Sequence, residues 1–249
     1  MNTRPAHQAE SLSLLISQAG GKPIEFPVLE ISPPINSEFL QTQLLTLNEA
    51  DLVIFISANA VDAAMMLLGG AELWPENVTI ASVGRATSLK LKEYGLTAEL
   101  TAPQPFNSEA LLTVPELGNM SDKKIKIIRG EGGRALLGDT LRSRGANVEY
   151  IECYRRLIPD SDPTALFQCW DEERNPTIVV TSNEGLRNLT TMIDSEYRQN
   201  LFSSNLVVVS ERAVSLAGEL GFEKKTVLAT TVSNEAIVEA IQRLYNQEL

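Results

Sequence analysis

The sequence predicts an α/β fold of two similar domains, each a parallel five-stranded sheet flanked by helices. Three observations carry this. Short apolar runs bounded by Ser, Thr, Gly or Pro alternate with segments whose apolar residues recur at helical spacing, strand then helix along the whole chain. Runs such as Asp51–Ser57 are apolar at successive positions, as in parallel sheets covered on both faces. The chain also repeats itself: Ser182 follows Ser57 by 125 residues, and Ser210 follows Gly84 by 126. Gly221 follows Gly95 and Asn234-Glu235-Ala236 follows Ser108-Glu109-Ala110, both by 126, while Gly145–Tyr150 follows Gly21–Phe26 by 124. An offset this steady is far longer than a solenoid repeat and reads as two copies of one unit. At 249 residues the chain is long enough for both.

Taken in order, Ala9, Leu12, Leu15, Ile16 and Ala19 mark a helix closed by Gly20-Gly21. A strand over Ile24–Ile31 then ends at Pro33-Pro34, a domain boundary. The strand Asp51–Ser57 leads into a helix through Ala60, Val61, Ala64, Met65 and Leu68. Val78–Val83 is the next strand, running through Gly84 and Thr87 into a helix that Gly95 closes. Ala98–Ala102 is a short strand before Pro103 and Pro105, and Asn107-Ser108 caps a helix starting at Glu109. Ile125, Ile127 and Ile128 form a strand that turns at Gly130, Gly132 and Gly133. The helix that follows shows Leu136, Leu137 and Leu141 and breaks at Gly145. Val148–Tyr154 is a further strand, so that a phenol meets Arg155 and Arg156 before Pro159 stops the element. Ile178–Thr181 and Val207–Val209 are the corresponding strands of the second copy.

Lys+Arg 21 against Asp+Glu 32 leaves a formal charge of -11, which argues against a nucleic-acid or anionic-membrane surface. Any anionic ligand is then held by local donors rather than by the net field. Cys153 and Cys169 fall in no metal spacing, so reduced, inert thiols are expected. No apolar run approaches the roughly 20 residues of a membrane span and no signal-peptide core is present, so a cytoplasmic location is expected.

Two similar domains leave a cleft, where small ligands sit. Ligands of open parallel sheets bind beyond the strand carboxyl ends, near unpaired helix N-H groups. Those ends carry Thr3 and Arg4; Ser57 and Asn59; Gly84, Arg85 and Thr87; Arg129 and Gly130; Thr181 and Ser182; and Ser210. Each Ser, Thr or Asn alone reads equally as a helix cap. As a set they suit a ligand with several separated carboxylates. Gly130, Gly132 and Ala135 match the dinucleotide spacing G-x-G-x-x-A, yet Glu131 sets a negative charge in the turn and only one copy shows the match. His7 is the only histidine, and no G-x-S-x-G elbow, Walker loop or zinc spacing occurs. What remains is a chemistry needing a positioned acid in a shaped cavity. The phenol of Tyr154, protonated at neutral pH, can supply it; a strand-end aromatic closing the core is the other reading.

Thr3-Arg4-Pro5, the run 51–57 with Asn59-Ala60-Val61, Val83–Thr87, Gly130 with Gly133-Arg134 and Leu136-Leu137, Gly145 with Val148, and Tyr154-Arg155-Arg156 together resemble the uroporphyrinogen-III synthase (HemD) family over nearly the whole chain. The resemblance implies two flavodoxin-like domains joined by a two-stranded connector with an interdomain cleft: residues 1–32 and 160–249 in one domain, 36–155 in the other. It implies a lyase that cyclises hydroxymethylbilane, a linear tetrapyrrole with eight carboxylates, to uroporphyrinogen III with loss of water and inversion of ring D, using no metal and no cofactor. Tyr154 would help the hydroxyl depart, and Thr3, Arg4, Ser57, Asn59, Gly84, Arg85, Thr87, Arg129, Gly130, Arg134, Thr181, Ser182 and Ser210 would hold substrate. A monomer is expected, with transient handover of substrate from hydroxymethylbilane synthase and no nucleic-acid or membrane partner. Two departures stand out: only Met1 and Asn2 precede Thr3, where the family has a longer apolar strand, and Ser210-Glu211-Arg212-Ala213 stands where it often has a glycine turn with threonines. The rival readings are a non-catalytic ligand-binding module of the same fold and a dinucleotide-dependent oxidoreductase.

Overall fold

The computed structural model describes residues 1–172, 174–224 and 226–246. The chain forms two compact units, one of Ile31–Arg156 and one of Met1–Glu30 with Leu157–Leu249. In chain order the elements are α1 (Ala6–Gln18), β1 (Glu30–Ser32), α2 (Ser37–Leu45), β2 (Leu52–Phe55), α3 (Ala58–Leu68), β3 (Thr79–Ser82), α4 (Arg85–Glu93), β4 (Leu100–Thr101) and α5 (Ser108–Leu111). There follow β5 (Lys124–Gly130), α6 (Leu136–Ser143), β6 (Asn147–Leu157), α7 (Thr164–Asp171), β7 (Thr177–Val180), α8 (Asn183–Met192), α9 (Arg198–Phe202), β8 (Asn205–Val208), α10 (Glu211–Leu220), β9 (Thr226–Leu228) and α11 (Asn234–Asn246).

The middle unit is a six-stranded sheet in the order β1-β6-β5-β2-β3-β4, its pairs from β6 through β4 parallel. The count exceeds the expected five because β1, at the crossing from one unit to the other, lies along β6. All four residues of β2 are buried. Val53 and Phe55 join a core with α3, Ile128 and Ile151, while Leu52 and Ile54 turn to a second core with Ile125, Ile127, Leu137 and Leu141. Alternation with apolar cover on both faces is what makes the strand read as one continuous apolar run. Helix α3 buries Ala60, Val61, Ala64, Met65 and Leu68, the face its spacing predicts. In α6 the buried pair is Leu137 and Leu141, four apart; Leu136, one residue off that stripe, is exposed.

The other unit holds the parallel strands β7-β8-β9. Residue Asn2 bridges in parallel to both Val179 and Glu25, which extends the strand order to Glu25, Asn2, β7, β8, β9. The predicted strand Ile24–Ile31 is divided into the bridge at Glu25 and the separate β1: Phe26 N-H donates to Asn2 O at 2.9 Å and Val28 N-H to Thr3 O at 3.2 Å before the chain crosses to the middle unit at Glu30–Ile31. Asn2 is fully buried, and its amide donates to Ala9 O at 3.0 Å and to Ser13 Oγ at 3.2 Å. A polar residue inside a sheet is tolerated when its hydrogen bonds are made. The two cores of this unit gather Phe26, Val28, Ile178, Val180 and Leu206 on one face and Leu12, Val179, Val207, Ile237 and Ala240 on the other. Cys153 and Cys169 are both buried free thiols.

Candidate active site

In the middle unit the strand order changes direction between β2, whose chain continues to β3, and β5, whose chain continues to β6. Ligands of open α/β sheets bind outside the carboxyl ends at such a point. Ser57 follows β2 there. Its backbone is extended (φ -155°, ψ 163°) and its Oγ accepts the Ala60 N-H at 3.1 Å, capping α3. Gly130 ends β5, beside Tyr154 on β6. A Cβ at residue 130 would lie 2.6 Å from the Tyr154 ring, so the ring occupies the space that any other residue would fill. The Tyr154 side chain is 5% exposed and packs in the core with Phe55, Val61 and Ile151, while its hydroxyl lies 3.1 Å from Ser57 Oγ. The ring thus closes the core, and its hydroxyl reaches the end of β2. The two arginines that follow it have backbone partners of their own. Arg155 Nε donates to Pro33 O at 3.0 Å, and an Arg156 N-H donates to Glu131 O at 3.4 Å.

Arg129 is 7% exposed and turned back into its own loop. Its guanidinium donates to the carbonyls of Gly130, Gly133 and Arg134, pairs with Glu152 at 3.3 Å and stacks 4.5 Å from the Tyr150 ring centroid. The glycine turn is thus wrapped around a cation by its carbonyl groups and does not present the nest of N-H groups a pyrophosphate needs. Arg134 is exposed and bidentate to Glu109, at 2.6 and 3.3 Å. Gly84 is the N-cap of α4 without a capping side chain, Arg85 is exposed in the first turn, and Thr87 is turned inward at 3% exposure. Asn59 is half-buried in the first turn of α3.

One group escaped the sequence reading. Ser82 Oγ lies 2.6 Å from Ser88 Oγ and 3.2 Å from Thr101 Oγ1, a hydroxyl cluster at the carboxyl ends of β3 and β4 beside Gly84. Its signal was present in the alternation of Ser82 with Val83, but joining Thr101 to it required knowing that β3 and β4 pair in register.

In the other unit, Thr3 is 3% exposed and donates to Val179 O at 2.7 Å, a tie between strands. Arg4 donates to Asn234 Oδ1 and, at 3.4 Å, to Val232 O; burial pushes its pKa down from the usual arginine value. Thr181 follows β7 and is half-buried. Ser182 Oγ accepts Gly185 N-H at 2.9 Å and Ser210 Oγ accepts Ala213 N-H at 3.2 Å, so both are helix caps. Capping uses an oxygen lone pair and leaves the hydroxyl proton to give. Among the described residues no cluster of three or more His, Cys, Asp or Glu suits a metal ion, and no helix is long and apolar enough to cross a membrane.

A family model described as uroporphyrinogen-III synthase HemD matches residues 10–239. The chain belongs to the uroporphyrinogen-III synthase family. It is 37% identical over 242 residues to the uroporphyrinogen-III synthase of Escherichia coli (strain K12), covering 96% of this chain and 98% of that protein. To the uroporphyrinogen-III synthase of Salmonella typhimurium it is 36% identical, again over 96% of this chain and 98% of the relative. The fold is shared with a crystal structure of a mutant uroporphyrinogen III synthase from the extremely thermophilic bacterium Thermus thermophilus, at a TM-score of 0.68 and 18% identity, over 99% of this chain and 98% of that one. A uroporphyrinogen-III synthetase structure from Helicobacter pylori 26695 matches at a TM-score of 0.61 and 14% identity, over 91% of this chain and 94% of the other. In this member of the uroporphyrinogen-III synthase family, the strand ends carry a phenol hydroxyl, capping hydroxyls and helix N-termini.

Proposed function

We propose that the chain catalyses the uroporphyrinogen-III synthase reaction, closing hydroxymethylbilane to uroporphyrinogen III with loss of water and inversion of ring D. The observation that carries this is the family match over residues 10–239, joined to a phenol held at the strand carboxyl ends by Gly130 and Ser57. Tyr154 is the acid that assists departure of the ring A hydroxyl. The resulting azafulvenium is attacked by the substituted carbon of ring D to give a spiro intermediate, and fragmentation and reclosure then invert that ring. Because the bilane also closes unaided to the type I isomer, the protein's main task is to hold one conformation and favour the developing cation.

Carboxylates are held by the first-turn N-H groups of the helices that Ser57 and Gly84 begin, with Asn59 and Arg85, in the middle unit, and by the capping hydroxyls and first-turn N-H groups at Thr181, Ser182 and Ser210 in the other. Arg134 binds a carboxylate when it leaves Glu109, and Arg4 is a further donor. Thr3, Thr87, Arg129 and Gly130 shape the strand ends from within. The two units are copies of one module: the pair Asn2↔Glu25 spans 23 residues, as does each pair from Lys124↔Asn147 to Arg129↔Glu152, which supports the reading. The chain acts as a monomer in the cytoplasm and receives its unstable substrate from hydroxymethylbilane synthase.

The test is incubation with freshly made hydroxymethylbilane and separation of the two product isomers. Predominant type III is the expected result; type I alone, at the rate seen without protein, would reduce the chain to a binding module.

A further inference from the structure

We infer that the Ser57 hydroxyl is a proton relay, carrying the proton of the Tyr154 phenol to the departing hydroxyl group; this rests on the reaction proposed above. The tyrosine is 5% exposed as a whole, its ring is within the apolar core, and the hydroxyl meets Ser57 at the strand end. Ser57 Oγ lies 3.1 Å away on a half-buried residue at the end of β2. One lone pair of that oxygen takes the Ala60 N-H. The second accepts the phenol proton, and the serine's own proton then points toward the strand-end surface.

The other copy supplies an internal comparison. Ser182 has the same extended backbone (φ -150°, ψ 151°) and the same capping bond, to Gly185 N-H. The side chain packed beside this second cap is an apolar one, Val28. A Cβ at Gly185 would lie 3.0 Å from Ser182 Oγ and 3.2 Å from Val28 Cγ2. A capping serine therefore needs no phenol to fold. The pair Gly130 and Tyr154 adds an acid behind one of two otherwise equivalent caps.

In the step, the phenol O-H proton moves to Ser57 Oγ as the Ser57 proton moves to the ring A hydroxyl oxygen. The carbon-oxygen bond breaks with its electron pair on oxygen, water leaves, and the pyrrole nitrogen stabilises the cation. The two transfers are concerted, so no serine alkoxide or oxonium forms. The proton lost when the pyrrole rearomatises after ring closure returns to the phenolate by the same path, so water is the only by-product.

The experiment compares Ser57→Asn, Ser57→Thr, Tyr154→Phe and the double variant Ser57→Asn/Tyr154→Phe. Asparagine keeps a capping oxygen but has no hydroxyl, and threonine keeps both. A relay predicts that Ser57→Asn and Tyr154→Phe each slow type III formation on the order of a hundredfold with KM and melting temperature held, as loss of a general acid does. The double variant is then no slower than either single one, Ser57→Thr restores most of the rate, and the solvent isotope effect on kcat requires two protons in wild type and not in Ser57→Asn. Full rate in Ser57→Asn, or penalties that multiply in the double variant, would overturn the relay while wild type still makes type III. Type I alone from wild type would remove the reaction and the relay with it.

Discussion

A methyl group at residue 130 would meet the Tyr154 ring at 2.6 Å, with no flexible chain end to give way. Overpacking of this kind costs about 1–3 kcal/mol. Gly130→Ala is therefore expected to lower stability by that amount in urea titration and to lower type III formation well beyond what the folded fraction accounts for, because the displaced ring loses Ser57. Activity that tracks the folded fraction alone would detach the ring from the chemistry. On the same strand as that ring, Cys153 alternates into the apolar core, and burial pushes its thiol up to about 12 from 9.0. The folded state then holds a proton that the unfolded state releases, so this group's contribution to stability is fully present below about pH 9 and lost as pH rises toward 12. The expected reading is an unmodified Cys153 under thiol reagent at neutral pH in native protein and rapid labelling once denatured; labelling at native rates equal to a free thiol would contradict it.

At the scale of elements, α3, α4, α8 and α10 each begin on an extended cap residue two positions after a strand ends: Ser57, Gly84, Ser182 and Ser210. Three bring a hydroxyl to the helix N-terminus and Gly84 does not. A Cβ there would find nothing nearer than Thr87 Oγ1 at 3.9 Å, so the glycine is not required by packing. Gly84→Ser is accordingly expected to raise melting stability by a few tenths of a kcal/mol while weakening substrate capture, if the open backbone takes a carboxylate as proposed; a variant both more stable and equally efficient in kcat/KM would argue that no ligand comes near. These caps were legible in the sequence because a hydroxyl between an apolar run and a helical period has few other uses. The buried face of α3 was legible residue by residue for the same kind of reason. Arg129 was not: its type announces a charge, but its direction is set by the carbonyls of a turn that forms only once β5 and β6 pair. Nor was the division of the stretch before Ile31, where a continuous strand-like composition gives no sign that the chain leaves one unit for the other at Glu30–Ile31. The partner of Tyr154 stayed hidden because Ser57 is 97 residues away in sequence and meets it only through the sheet order.

For the whole molecule, a net charge of -11 opposes the approach of a ligand bearing several carboxylates. Screening should relieve that opposition. Raising ionic strength from about 10 mM to about 150 mM shortens the Debye length from roughly 30 to roughly 8 Å, and kcat/KM for the bilane is expected to rise across that range. A fall instead would mean that a local positive field at the strand ends dominates the approach. The sequence made the charge legible but not its distribution, since Arg129 and Arg134 are both engaged by groups of their own loop or neighbouring helix.

The chain passes from one unit to the other at Glu30–Ile31 and back at Arg156–Leu157. During synthesis the segment 31–156 can therefore finish its own core as soon as it clears the ribosome, whereas the first thirty residues must wait, with Phe26 and Val28 lacking their partners, until β7, β8 and the helices after them emerge. The half that carries Tyr154 is the early folder, and the half begun first is the last to be completed.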